Sequence, residues 1–199
     1  MSRRILLILP ALQQAHDRAF RLIKYSRFPP LSLLTLAGLT PRDDYEVIVR
    51  DEHIESSEVR GQVDLVGIQT YVSSARRAYE LAALWRRRGA KVVLGGIHPT
   101  TLPEEAAAHA DAVCLGPAET AWPQILADFE CGTLRRYYRG TCAGSAALVP
   151  LPRRDLMNPR GYLIRHTMVT SRGCPHACDF CYKSSFWGRD YHEARPLAA

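Results

Sequence analysis

Five short apolar runs, alternating with turns and helical patterns, constrain the fold of this chain more than any other feature. They are residues 4–9 (RILLIL), 45–50 (YEVIVR), 64–69 (DLVGIQ), 91–94 (KVVL) and 112–115 (AVCL). Runs this short and this continuously apolar suit strands buried on both faces, as in a parallel sheet. Helical signals lie between them. Residues 31–39 are apolar, with Pro30 placed to open a helix and Pro41 to stop it. Ala78, Leu81, Ala82 and Trp85 share one helical face, with Ser73 or Ser74 as cap and Gly89 as the stop after three arginines. Over residues 120–130, Trp122, Ile125, Leu126 and Phe129 line one side, and Pro123 sits in the first turn. The alternation predicts an α/β fold, a Rossmann-like open parallel sheet with flanking helices. Ligands of such sheets bind at the carboxyl ends of the strands, where the strand order reverses. The loops there start at Pro10 and run through residues 69–74, 95–100 and 116–120.

Apolar residues make up 47% of the 199 and charged residues 23%, which excludes a disordered chain. No apolar run approaches the roughly 20 residues of a membrane-spanning helix. The opening MSRRILLILPAL mimics an export signal, but a polar segment and no small-residue cleavage site follow, so it reads as a buried first strand. The net charge of +6 comes from arginines scattered in twos and threes, with only Lys24, Lys91 and Lys183 as lysines. Without a basic stripe, no nucleic-acid partner is expected.

From Gly132 the alternation breaks, and Pro150, Pro152 and Pro159 mark a linker. The expected organisation is a sheet domain over residues 1–131, a linker over 132–161, and the start of a second domain over 162–199. Residues 162–169 (YLIRHTMV) read as its first strand, leading into SRGCPHACDFCY. Three of the six cysteines, Cys174, Cys178 and Cys181, crowd there as Cys-x3-Cys-x2-Cys. Thiolates select zinc, copper(I) or iron–sulfur clusters. With His176 as a fourth ligand the loop could hold zinc. Three cysteines on one loop suit a 4Fe–4S cluster better, with three irons held and the fourth left open. Cys114, in an apolar run, reads as a buried small hydrophobe. Cys131 and Cys142 carry no assignment.

The cysteine spacing, with aromatic Phe180 before the last cysteine, resembles the radical SAM signature. The resemblance implies a 4Fe–4S cluster on Cys174, Cys178 and Cys181, S-adenosylmethionine chelated to the open iron, and Phe180 against its adenine. It also implies a TIM-like barrel whose first strand precedes the cluster loop. Methylthiotransferases of that family need three more cysteines in the sheet domain, and this sequence has none before Cys114.

Five stretches are similar instead to the cobalamin-binding radical SAM proteins: PPLSLLTLAGL (29–39), DEHIE (51–55), DLVGIQTY (64–71), GGIHPTTLPEEA (95–106) and LGPAETAWPQIL (115–126). Carried over by position, the likeness implies cobalamin contacts from Gln69, Thr70, Tyr71 and Ser73, from Gly95, Gly96, His98 and Pro99, and from Gly116 and Glu119. The relatives more often have Gly-Glu-x-Glu where this chain has Gly116-Pro117-Ala118-Glu119. His53, in Asp51-x-His53, resembles a cobalt-binding motif, but it follows the second strand rather than the first and lacks the motif's glycine at Ser56. It is therefore expected not to ligate cobalt.

The function implied is the N-terminal part of a cobalamin-dependent radical SAM enzyme that cleaves S-adenosylmethionine reductively. It would methylate an unactivated carbon of a small molecule or lipid, with an electron donor as partner. Cyclisation or rearrangement is the alternative chemistry, and a non-catalytic corrinoid carrier or a zinc-stabilised regulatory domain the alternative role. A full barrel needs on the order of 200 residues, so a fragment, or a split enzyme completed by a second chain, is expected. Cysteine thiols without an export signal imply a cytoplasmic location.

Overall fold

The computed structural model describes residues 3–12, 26–141, 149–176, 178–187 and 191–192. The five apolar runs form β1 (Arg3–Leu9), β2 (Tyr45–Asp51), β3 (Leu65–Gln69), β4 (Lys91–Gly95) and β5 (Ala112–Leu115). With β6 (Tyr137–Arg139) they make a parallel sheet in the order β2-β1-β3-β4-β5-β6. The chain first steps from β1 outward to β2, then returns to the far side of β1 for β3. That reversal opens a crevice between β1 and β3 at their carboxyl ends.

Ile5, Leu6, Leu7 and Ile8 of β1 are fully buried. Ile5 and Leu7 enter one core, with α1 (Leu31–Leu39) and α5 (Ala121–Glu130). Leu6 and Ile8 enter the other, with α2 (Ala75–Arg87) and Ala106 of α4 (Pro103–His109). Burial of each such side chain stabilises the fold by about 1.5–3 kcal/mol. On the first face, the Trp122 indole N–H donates to Thr40 Oγ1 at 2.9 Å, tying α5 to the end of α1. Cys114 is buried in β5 as expected, and burial pushes its thiol up to about 12. No helix among the described residues is long and apolar enough to cross a membrane.

The structure departs from the sequence reading at four places. Residues 97–109, left without a helix, form α3 (Ile97–Thr101) and α4, with Pro103 and two glutamates in the first turn of α4. Ser74 precedes α2 without capping it, because its Oγ bonds the backbone of Tyr71 instead. The sixth strand lies within residues 132–161, the stretch whose composition marks a linker, and Arg153 N donates to Leu34 O of α1 at 3.0 Å. Residues 162–169 form no strand: Tyr162 makes an isolated bridge to Ser26, and the carbonyls of Arg165 and Thr167 accept from the Arg154 guanidinium. Leu163 N and Ile164 N donate to the carbonyls of Ser26 and Arg27, and the side chains of Leu163 and Met168 are exposed. The polar segment after Leu12 and the linker signal at Cys142 lie outside the described residues.

Beyond this segment, β7 (Arg172–Gly173) pairs antiparallel with β8 (Tyr191–His192), and α6 (Lys183–Trp187) follows the cysteines.

A buried charge network ties the ends of β1 and β2 to α2. Glu52 accepts from Arg77 at 2.7 and 3.0 Å, from Ser57 Oγ at 2.6 Å and from Ala11 N at 3.3 Å. Burial raises the pKa of the carboxyl, but these hydrogen bonds outweigh it and hold it below the ordinary 4.5. Because the folded value lies below the unfolded one, this contribution is fully present above pH 4.5 and is lost as pH falls through the folded value. Urea unfolding of Glu52→Gln from about pH 7 down to about pH 3 is therefore expected to show a shallower acid loss of stability than the unmodified chain.

Candidate functional site

A cavity of about 430 Å³ opens at the carboxyl ends of β3, β4 and β5, on the face covered by α1 and α5. Its size falls in the roughly 300–1,000 Å³ range of small-molecule sites. The floor is Gly67, Val93, Cys114 and Trp122. Gly67 makes room for it, since a Cβ there would lie 2.8 Å from Leu7 Cδ2 and 3.6 Å from the Trp122 ring. One wall is α1, and this explains a helix apolar nearly all round. Leu34 and Ala37 are buried in the sheet-side core, while Leu31, Leu33 and Leu36 line the cavity. The far wall comes from residues after the sheet, among them Val169, Arg172, Phe186 and Trp187.

Polar groups on this apolar surface are few. Ser32 Oγ donates to Gln69 Oε1 at 2.5 Å, and Gln69 Nε2 donates to Tyr71 Oη at 2.7 Å, which joins α1 to the end of β3. Burial pushes the Tyr71 hydroxyl above its usual value. Glu119, with a side chain only 11% exposed, forms an ion pair with Arg172 through Oε1. Its other carboxylate oxygen, Oε2, is buried and has no hydrogen-bond partner among the described residues. A buried carboxylate oxygen of this kind calls for a donor from whatever fills the cavity.

Six of the ten residues implicated by position, Gln69, Tyr71, Gly95, Gly96, Gly116 and Glu119, line the cavity. The other four lie elsewhere. Thr70 is fully buried, and its N–H and carbonyl bond Gly95 and His98 to join the ends of β3 and β4. Ser73 is exposed in the turn before α2. His98 and Pro99 are buried in α3, turned away from the cavity. His98 Nε2 lies 2.8 Å from the Tyr79 hydroxyl, which donates to Glu105 at 2.9 Å. His53 sits at the end of edge strand β2, its Nδ1 2.8 Å from buried Asp51, and does not line the cavity. The α1 wall and Trp122 lie within the stretches 29–39 and 115–126 that carry the family resemblance, but are not among the contacts implied by position.

Cys174 and Cys181 are half-buried and Cys178 is exposed. Cys181 N donates to Cys178 O at 3.0 Å, closing a turn between them. The thiol set suits iron–sulfur ligation chemically. Among the described residues, however, no three His, Cys, Asp or Glu side chains are gathered into a metal-binding group. Phe180 is 94% exposed.

Gly96 marks the turn from β4 into α3 with φ 108° and ψ −165°, a region open almost only to glycine. A Cβ there would also lie 2.9 Å from Thr70 O. Gly96→Ala is expected to cost about 1–3 kcal/mol of stability, read by urea denaturation, and to displace the cavity-lining Ile97.

Comparison with known proteins agrees with this geometry. The bacteriochlorophyllide d C-8(2)-methyltransferase of Chlorobaculum tepidum is 34% identical over 176 residues, 83% of this chain and 38% of that protein. The bacteriochlorophyllide d C-12(1)-methyltransferase of the same organism is 26% identical over 81% of this chain and 37% of its own length. An uncharacterized methyltransferase of Synechocystis is 26% identical over 84% of the chain and 32% of its own length. The chain thus spans less than two fifths of these relatives. Residues 24–126, which hold α1, β2 to β5 and the first part of α5, match the family described as the B12 binding domain. This chain belongs to the B12-binding domain family.

Proposed function

We propose that this chain is the cobalamin-binding part of a radical SAM methyltransferase. The observation that carries the cobalamin half is the apolar cavity at the ends of β3, β4 and β5, whose base is formed by residues that match the B12-binding family. Gly95, Gly96 and Gly116 let backbone approach a bulky ligand, α1 and Trp122 exclude water, and Glu119 Oε2 accepts a donor from it. Gln69 and Tyr71 add hydrogen bonds at the rim. Cobalamin is larger than this cavity, so the apolar floor would seat one part of it, and bound there it would supply a methyl group to the reaction. The protein positions the cofactor and keeps water out.

The radical SAM half rests on the spacing of Cys174, Cys178 and Cys181 and on Phe180. In this proposal the three thiolates hold a 4Fe–4S cluster, which supplies the electron for cleaving S-adenosylmethionine. The substrate is a small molecule. Bacteriochlorophyllide d, after which two of the relatives are named, is the compound to try first.

The test is anaerobic reconstitution with iron, sulfide and hydroxocobalamin, then desalting and elemental analysis. About one cobalt and four irons per chain are expected. The triple variant Cys174→Ala, Cys178→Ala, Cys181→Ala is expected to lose the iron and keep the cobalt. Cobalt without iron in the unmodified chain would leave a corrinoid carrier, and iron without cobalt would overturn the cobalamin assignment.

A further inference from the structure

The cavity is built from two parts of the chain that are remote in sequence. Its base belongs to the sheet, and its far wall to the segment that carries the cysteines. Among the contacts that join them, two bear on the loop after β5. Glu119, in the loop after β5, is paired with Arg172 of β7, two residues before Cys174. The Phe186 carbonyl of α6 lies 3.4 Å from where a Cβ on Gly116 would sit, so α6 rests directly on the same loop. The Arg172 guanidinium also lies 5.8 Å from the centre of the Trp187 ring, which lines the cavity. Arg172 therefore touches the cavity wall and the base of the cysteine loop together.

We propose that the Glu119–Arg172 ion pair couples occupancy of the cavity to the position of the cysteine loop, with Arg172 as the positioning residue. The ligand is one that brings an amide N–H or hydroxyl donor to Glu119 Oε2. This rests on the cobalamin reading above, since cobalamin carries such amides. A donor on Oε2 fixes the carboxylate, the fixed carboxylate holds Arg172, and Arg172 holds the chain entering Cys174. Linkage makes the effect reciprocal: whatever orders the loop also tightens ligand binding.

The test is the rate at which N-ethylmaleimide labels Cys174, read by peptide mass spectrometry with and without cyanocobalamin, whose binding is followed by absorbance after desalting. In the unmodified chain, cyanocobalamin is expected to slow labelling of Cys174 about fivefold or more. Arg172→Gln and Glu119→Gln are each expected to lose that protection, the double variant to behave like either single one, and Arg172→Lys to retain part of it. Circular dichroism checks that each variant folds. Equal protection in Arg172→Gln, or bound cobalamin without protection in the unmodified chain, would overturn the proposal. If the unmodified chain holds no cobalamin, the cofactor reading fails and the ligand-free rates decide the coupling. Faster labelling in each single variant with nothing added in the double sustains it, while unchanged or additive rates reject it.

Discussion

Two-sided burial of β1 and β3 is the constraint on which the rest depends. A strand with aliphatic side chains on both faces needs a helical layer above and below it. The chain supplies those layers by moving outward on one side of β1 and then returning on the other. The helices that follow β1 and β3 consequently lie on opposite faces of the sheet. The crevice left between them is a by-product of satisfying the core, not a separately built feature.

The cavity inherits its character from that arrangement. Because α1 covers β1 and still has apolar side chains to spare, its other flank lines the cavity without any polar cost. The few hydrogen-bonding groups then stand out against an apolar background, which favours orientation of a ligand over raw affinity. Glu119 differs from the rest, since its charge is balanced by Arg172 from outside the sheet and one of its oxygens remains unmatched among the described residues.

The sheet was legible in the sequence because each buried strand leaves a compact apolar run, and those of β1, β4 and β5 end at proline or glycine. The short edge strand β6 was not, since a strand of three residues with two exposed side chains leaves no periodic signal. Residues 162–169 erred in the opposite direction. Their composition is that of a strand, but composition cannot supply a neighbouring strand along the whole run, and the bonds to Ser26 and Arg27 make only an isolated bridge. The site was legible to the level of its loops and not of its side chains. Gly95, Gly96, Gly116 and Glu119 line the cavity, whereas His98, two residues after Gly96, does not and packs on Tyr79. The cause is α3, which begins at Ile97 and turns the next side chain onto Tyr79. A short helix of five residues is too brief to announce itself by periodicity, yet long enough to reverse a side chain's direction.

Trp122 has a consequence for the optical behaviour of the protein. The chain holds three tryptophans. Trp122 forms the cavity floor and Trp187 part of its far wall, while Trp85 is buried behind the sheet in the α2 core. A chromophore entering the cavity comes against two indoles, with the third one sheet-width away. Intrinsic emission therefore reports occupancy of the cavity, most strongly through Trp122 and Trp187, without any dye or label.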